Sequence, residues 1–277
     1  MIHRRTALLA APALFLPRLA AAQAPSTWER IARTKTLRAG LIPSRPPYQW
    51  NRDGVLTGFA VQMAQDMAAA LGKEMGATIA VEHVPTTWGT VVLDLQSVRL
   101  DAHFGMTDSP ERRKALSIFG PLYTVPVVAL NARGFAPGEN WEDYDKPSVT
   151  ISTVLGTSDD EMVRGIIKQA QVRSLRSLAE AAMEVHSGRA SALITSILIA
   201  LDASTKGPGA GTIVELKPVR SSPSGGGTAR DVDGRFAAFA QTWAEAYRAS
   251  GRIQTVITDS IRDAGLPIEK LPIGVRF

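Results

Sequence analysis

The chain is predicted to fold as an α/β protein built mainly on parallel strands. Three observations predict it. Short apolar runs alternate with amphipathic stretches of helical period, turn residues punctuate the switches between them, and no strong repeat, heptad or low-complexity run interrupts the alternation. The 277 residues, 45% of them hydrophobic and 21% charged, suffice for one large domain or two of modest size and do not have a disordered composition. No cysteine is present, which excludes a disulfide framework, a thiolate metal site and a cysteine nucleophile.

The elements follow in order. Residues 1–24 read as a targeting segment: a basic start (Arg4-Arg5), a mostly apolar run from Thr6 to Leu19, and small residues from Ala20 to Ala24. The run is too short and too interrupted by Pro12, Pro17 and Arg18 to anchor in a bilayer. Cleavage after Ala22 or Ala24 fits, and the paired arginines also suit a twin-arginine export signal. Removing Arg4, Arg5 and Arg18 takes the formal charge from +5 to +2, too little to argue for a nucleic-acid partner.

Beyond it, Leu37–Ile42 reads as a strand ended by Pro43, and Asn51 to Gly54 as a turn between short extended pieces. Phe59, Met63, Met67 and Leu71 fall four apart on an amphipathic helix stopped by Gly72. A strand (79–84), a helix (91–98) and strands 100–106 and 123–130 follow. The second half continues with strands at 149–154 and 190–195, helices at 161–170 and 178–187, and an extended piece at 213–219. The Gly-rich stretch 221–228 reads as a mobile loop or hinge-side turn, before one or two helices over 236–261.

Catalytic and metal motifs are absent. His83, His103 and His186 lack ligand spacing, no G-x-S-x-G elbow occurs, and Gly225-Gly226-Gly227 opens no P-loop. One segment is more specific. In Gly105-Met106-Thr107-Asp108-Ser109-Pro110-Glu111-Arg112 a strand ends and a helix starts, with Ser109 and Pro110 a good N-cap and first-position pair. Backbone amides, the Thr107 hydroxyl and the Arg112 guanidinium then converge as an anion site suited to a carboxylate, although a solvated arginine beside Arg113 and Lys114 fits the spacing equally well.

That run resembles the G-M-T-x-T-P-E-R motif of the family 3 solute-binding proteins of bacterial ABC importers, the periplasmic amino-acid receptors. Leu37 to Gly40, Pro46-Pro47-Tyr48, Gly54 to Leu71, Trp88 to Ala102, Ile118 to Tyr123, Leu155 to Ser158 and Gly188 to Ala192 resemble further family stretches in the right order. The resemblance implies a type II periplasmic binding protein: two α/β lobes joined by two crossing hinge strands, with the ligand in the cleft. It implies a signal peptide at 1–24, a first lobe over 25–123, a second over 124–224, and residues 225–277 returning to the first. It also implies an exported, periplasmic receptor that binds a small carboxylate, delivers it to an inner-membrane ABC permease, is expected to be a monomer, and uses no cofactor or metal.

Carried over residue by residue, the resemblance makes Arg112 the carboxylate clamp, with Thr107 and the Gly105 backbone beside it and Thr157 and Ser158 serving from the second lobe. Trp88 falls at a ligand-stacking position. Arg45 stands where relatives often have an aromatic residue, facing an acidic or polar ligand tail, and Tyr48 is a wall or contact residue. The departure is Ser196, where the family usually places the aspartate that takes the ligand's α-ammonium group. A neutral hydroxyl cannot balance that buried charge, a loss of roughly 3–5 kcal/mol. Either another carboxylate substitutes, Asp108 first and Asp159 or Asp160 after it, or the ligand is not an ordinary α-amino acid. The alternatives are an enzyme on the same fold, such as a periplasmic cyclohexadienyl dehydratase, and a receptor that feeds a sensor protein.

Overall fold

The computed structural model describes residues 25–231 and 233–271; the targeting segment and both cleavage positions lie outside the described residues. Helix α1 (Thr27–Thr34) starts at a capping box in which Ser26 and Glu29 satisfy each other's backbone amides. Strand β1 (Thr36–Leu41) leads to a small hairpin, β2 (Trp50–Arg52) and β3 (Val55–Thr57), around the expected turn. Helix α2 (Phe59–Met75) buries Phe59, Met63, Met67 and Leu71, the stripe that its spacing predicts. Strand β4 (Ala80–Pro85) pairs in parallel with β1, and α3 (Val91–Gln96), β5 (His103–Thr107) and α4 (Pro110–Ala115) complete this stretch.

The next strand, β6 (Ser117–Ala132), is 16 residues long and belongs to both halves of the molecule. After it come α5 (Trp141–Tyr144), β7 (Thr150–Val154), α6 (Ser158–Ile166), β8 (Gln171–Leu175), α7 (Leu178–His186), β9 (Ala192–Ser196), α8 (Ile197–Ser204) and β10 (Ala210–Glu215). Strand β11 (Ser221–Thr228) then returns to the first half, where α9 (Arg235–Ala249) and α10 (Arg252–Asp263) pack. The large sheet runs β5-β11-β6-β9-β7-β8, with β10 also on β6. The early part of β6 pairs with β11, and its later part, Val127–Asn131, with β9. A core cluster of Val127, Trp141, Tyr144, Ile151, Val163 and Ile194 fills the second half, while a larger one runs from α2 through β6 to α8 and α9.

Two expectations are corrected. Parallel ladders among the described residues are β1–β4, β7–β8 and β7–β9, with isolated parallel bridges at Ala39–Ala102 and Asn140–Lys217, while the long strands β6 and β11 cross in opposite directions and impose antiparallel pairing on their neighbours. Residues 221–228 are a strand between β5 and β6, not a loop. Their glycines answer to packing: a Cβ on Gly225 would fall 2.0 Å from the Phe119 carbonyl oxygen, and one on Gly226 2.1 Å from the Phe119 ring.

Asp101 fixes the frame beneath the first half. Its fully buried carboxylate accepts from the Arg38 backbone N–H at 2.6 Å, from Arg38 Nη2 at 2.8 Å and from Arg30 Nε at 3.0 Å. It thereby ties α1 and β1 to the approach to β5. Asp101→Ala leaves two arginines and an amide without their partner. We expect a loss of about 3 kcal/mol, on the order of 6–12 °C in Tm, in a thermal melt followed by circular dichroism.

Candidate functional site

The first half contributes two arginines. At the end of β5 the Ser109 hydroxyl accepts from the Arg112 backbone N–H at 3.3 Å, with Pro110 in the first helical position of α4. One turn in, the Arg112 side chain folds back and Nη1 donates to the Thr107 carbonyl at 2.9 Å, leaving the residue 8% exposed. Gly105 has φ +75°, and a Cβ there would meet the Tyr48 ring at 2.9 Å. A side chain would both strain that turn and push Tyr48 out of place.

Arg45 comes from the loop after β1. Its N–H and carbonyl both bond to Gln49, at 2.8 and 2.9 Å, and Gln49 Nε2 donates to the Ile42 carbonyl at 3.0 Å. The loop also caps α2: the Ala60 N–H donates to the Tyr48 carbonyl at 2.9 Å across Gly58, where a Cβ would fall 2.3 Å from that same oxygen. The guanidinium lies 3.6 Å from the Tyr48 ring centre and 4.7 Å from that of Trp88; Arg112 lies 5.5 Å from Trp88. Trp88, in the turn before α3, thus touches both cations.

The second half faces them with a carboxylate. Thr157 caps α6, its hydroxyl accepting from the Asp160 N–H at 3.2 Å and donating to the Val154 carbonyl at 2.7 Å. Ser158 Oγ donates across the cleft to Thr107 Oγ1 at 2.9 Å. Asp159, 6% exposed, accepts from Thr195 Oγ1 at 3.0 Å and from the Ser196 N–H at 2.8 Å. Residues at the end of β9, where the family pattern expects an acid, therefore donate to an acid supplied by the first turn of α6.

These groups line a small polar cavity of about 30 Å³ between the two halves. Of the ten residues singled out in the sequence, Arg45, Tyr48, Trp88, Gly105, Thr107, Arg112, Thr157, Ser158 and Ser196 line it. Asp108 does not: its carboxylate pairs with Arg113 on the outer side of the turn. Asp160 is also taken, accepting from Thr153 Oγ1 at 2.5 Å and from Arg164 at 3.3 Å. Asp159, which the sequence offers after Asp108 as the substitute carboxylate, lines the cavity together with Val125, Ile199 and Ser224. Ser224 is brought in by β11 and was hidden by the reading of that segment as a loop.

Burial pushes the Asp159 carboxyl above the usual range, although Thr195, the Ser196 N–H, Arg45 and Arg112 all favour its charged form. Burial lowers both arginines from their ordinary value, which starts so high that they remain protonated. His103, fully buried under the site, faces the Gly40 carbonyl through Nδ1 at 3.2 Å and meets Trp88 edge to face. Burial and the nearby Arg45 hold it down to about 3, so it is neutral at ordinary pH.

A two-lobed α/β binding protein, its halves closed on a charged cavity, is the class these features define. The chain belongs to the bacterial extracellular solute-binding proteins, family 3, whose model matches residues 37–256. It is 27% identical over 174 residues to the L-cystine-binding protein TcyJ of Escherichia coli strain K12, a match that spans 62% of this chain and 63% of that protein's length. Among solved structures it resembles the ancestral amino acid-binding protein AncCDT-1, a precursor of cyclohexadienyl dehydratase (TM-score 0.74, 27% identity, 84% of this chain and 99% of that one). The L-arginine-bound substrate-binding protein AbpA of an amino acid ABC transporter from Streptococcus pneumoniae shares the fold (TM-score 0.73, 18% identity, 84% and 98% covered).

The titrating groups set the pH response of the ligand-free protein. For His103 the unfolded chain takes up a proton near 6.5 and the folded chain only near 3, so its contribution to stability is lost as pH falls through that window. For Asp159 the sign is opposite: the folded carboxyl holds its proton to higher pH, and stability is lost as pH rises through its raised value. Asp159→Asn is therefore expected to raise Tm at about pH 8, with a gain that shrinks towards about pH 4, as scanning calorimetry at the two pH values would register.

Proposed function

We propose that this protein captures a small α-amino acid, or a closely similar carboxylate, between its lobes and delivers it to an ABC permease in the inner membrane. The observation that carries the reading is a guanidinium, Arg112, and a carboxylate, Asp159, brought into one cavity from opposite halves. Arg112 and the hydroxyls of Thr107 and Ser158 take the ligand carboxylate; Asp159 takes the ammonium group that Ser196 is unable to balance. The strands crossing near residues 123–127 and 221–224 serve as hinges, separating lobes at 25–123 with 225–277 and at 124–224. Residues 1–24 act as a cleaved export signal, which places the receptor in the periplasm. Membership of an extracellular solute-binding family supports delivery and location.

Titration calorimetry with amino acids and their deaminated and hydroxy counterparts tests the assignment. Arg112→Ala is expected to abolish binding of every carboxylate, by at least roughly 30-fold; unchanged affinity would place the site elsewhere. Asp159→Asn is expected to erase the preference for amino over deaminated acids.

A second reading is a dehydratase acting on a cyclic diene acid. It is favoured by the buried Asp159, whose raised carboxyl suits a general acid, and by the likeness to AncCDT-1. Turnover of prephenate or arogenate in an absorbance assay, lost in Asp159→Asn, would put catalysis ahead of capture. Absence of turnover leaves capture as the function.

A further inference from the structure

The cavity holds one more cation than an α-carboxylate and an α-ammonium group use. With Arg112 and Asp159 assigned, Arg45 is left over. It is 5% exposed, and its Nε and Nη1 are buried without a hydrogen-bond partner among the described residues. Stacking on Tyr48 and Trp88 and a hydrogen bond to Tyr48 offset part of the cost of burying that charge but leave Nε and Nη1 without an acceptor. Nor is Arg45 a stray surface residue folded in by chance: two backbone bonds to Gln49, and Gln49's bond to the Ile42 carbonyl, aim the loop that carries it.

The space beyond Arg45 has the same sign. A second chamber of about 240 Å³ adjoins the cavity and shares Arg45, Trp88, Thr157 and Ile199 with it. Its walls add apolar Ile42 and Leu178 and a further cation, Arg176, and no aspartate or glutamate among the described residues lines it. A ligand side chain leaving the cavity on this side passes between arginines. A cationic side chain there meets like charge at low dielectric, and a neutral one leaves the Arg45 donors unsatisfied.

The geometry points to an α-amino acid that carries a second acid group on its side chain, with Arg45 as the residue that selects it. This rests on the proposed roles of Arg112 and Asp159. Two guanidinium groups and one carboxylate on the protein are matched by two carboxylates and one ammonium group on the ligand. Val125 and Ile199 supply the apolar wall for the methylenes between them.

The test is calorimetry on the purified protein with L-aspartate, L-glutamate, L-α-aminoadipate, L-glutamine, L-arginine and succinate, repeated on Arg45→Gln. We expect an acidic amino acid to bind roughly 30-fold or more tightly than glutamine, and arginine not to bind. In Arg45→Gln the ratio of acidic-amino-acid to glutamine affinity collapses. Glutamine or arginine binding the parent protein as tightly as the acidic amino acids overturns the role of Arg45 and leaves Arg112 and Asp159 standing. So does an unchanged acid-to-amide ratio in Arg45→Gln. Succinate binding as tightly as glutamate sustains Arg45 but removes the ammonium role of Asp159. Binding of nothing in the panel overturns both. The selectivity of the parent protein decides the matter even if Arg45→Gln fails to fold.

Discussion

Two guanidinium groups and one carboxylate buried in a single cavity are the constraint around which the surrounding structure is arranged. Charges taken out of water are costly, and like charges in a poorly screened space repel. Such groups hold their positions only where the backbone over-determines them. Arg112 is fixed by the Thr107 carbonyl and a Ser–Pro helix start, and Arg45 by a loop closed on Gln49 and docked on the start of α2. Asp159 is fixed by two donors from β9. Trp88 presents its π face where both cations reach it, and His103 beneath it stays neutral, so no third positive charge is added.

Much of this was legible in the sequence, for a physical reason. The Ser109-Pro110 pair and the four-residue stripe of α2 are local devices whose geometry the chain dictates over a few residues. What was not legible is long-range. Residues 221–228 have the composition of a turn and become a strand because β5 and β6 come together and leave room only for glycine beside Phe119. Helix α8 shows no helical stripe, because Ile197 through Ala203 are all buried, Asp202 among them. Asp159 reads locally as an acid at a helix start, a residue any helix favours. Only the approach of β9, which puts Thr195 and the Ser196 amide on its carboxylate, gives it a place in the site. Asp108, nearer to Arg112 in sequence, is drawn away by its neighbour Arg113.

The crossing strands link site to frame. β6 runs from the pairing with β11 into the pairing with β9, so one continuous strand carries Tyr123 and Val125 past the cavity and on into the second core. β11 brings Ser224 to the same place from the other direction. Both strands pass through the sheet at the level of the cavity, where the larger core cluster also spans the two halves, so the proposed hinge would act through these strands. The Asp101 cluster serves the same end in the first half, locking α1 and β1 to the approach to β5 so that Thr107 and Arg112 move with the lobe.

On the proposed function, this division of labour would make charge matching and closure one event. The cations Arg45 and Arg112 lie on one half and the carboxylate Asp159 on the other, and Ser158 meets Thr107 across the gap. A ligand that satisfies only the arginines gains from the second half no more than the Thr157 and Ser158 hydroxyls and leaves Asp159 unmatched. A ligand that satisfies only Asp159 leaves two buried cations facing each other through Trp88. Differential affinity for the closed state, the quantity that shifts the population, is therefore largest for a molecule carrying complementary charges to both halves. Selectivity in this molecule is written in which ligands are able to hold it shut.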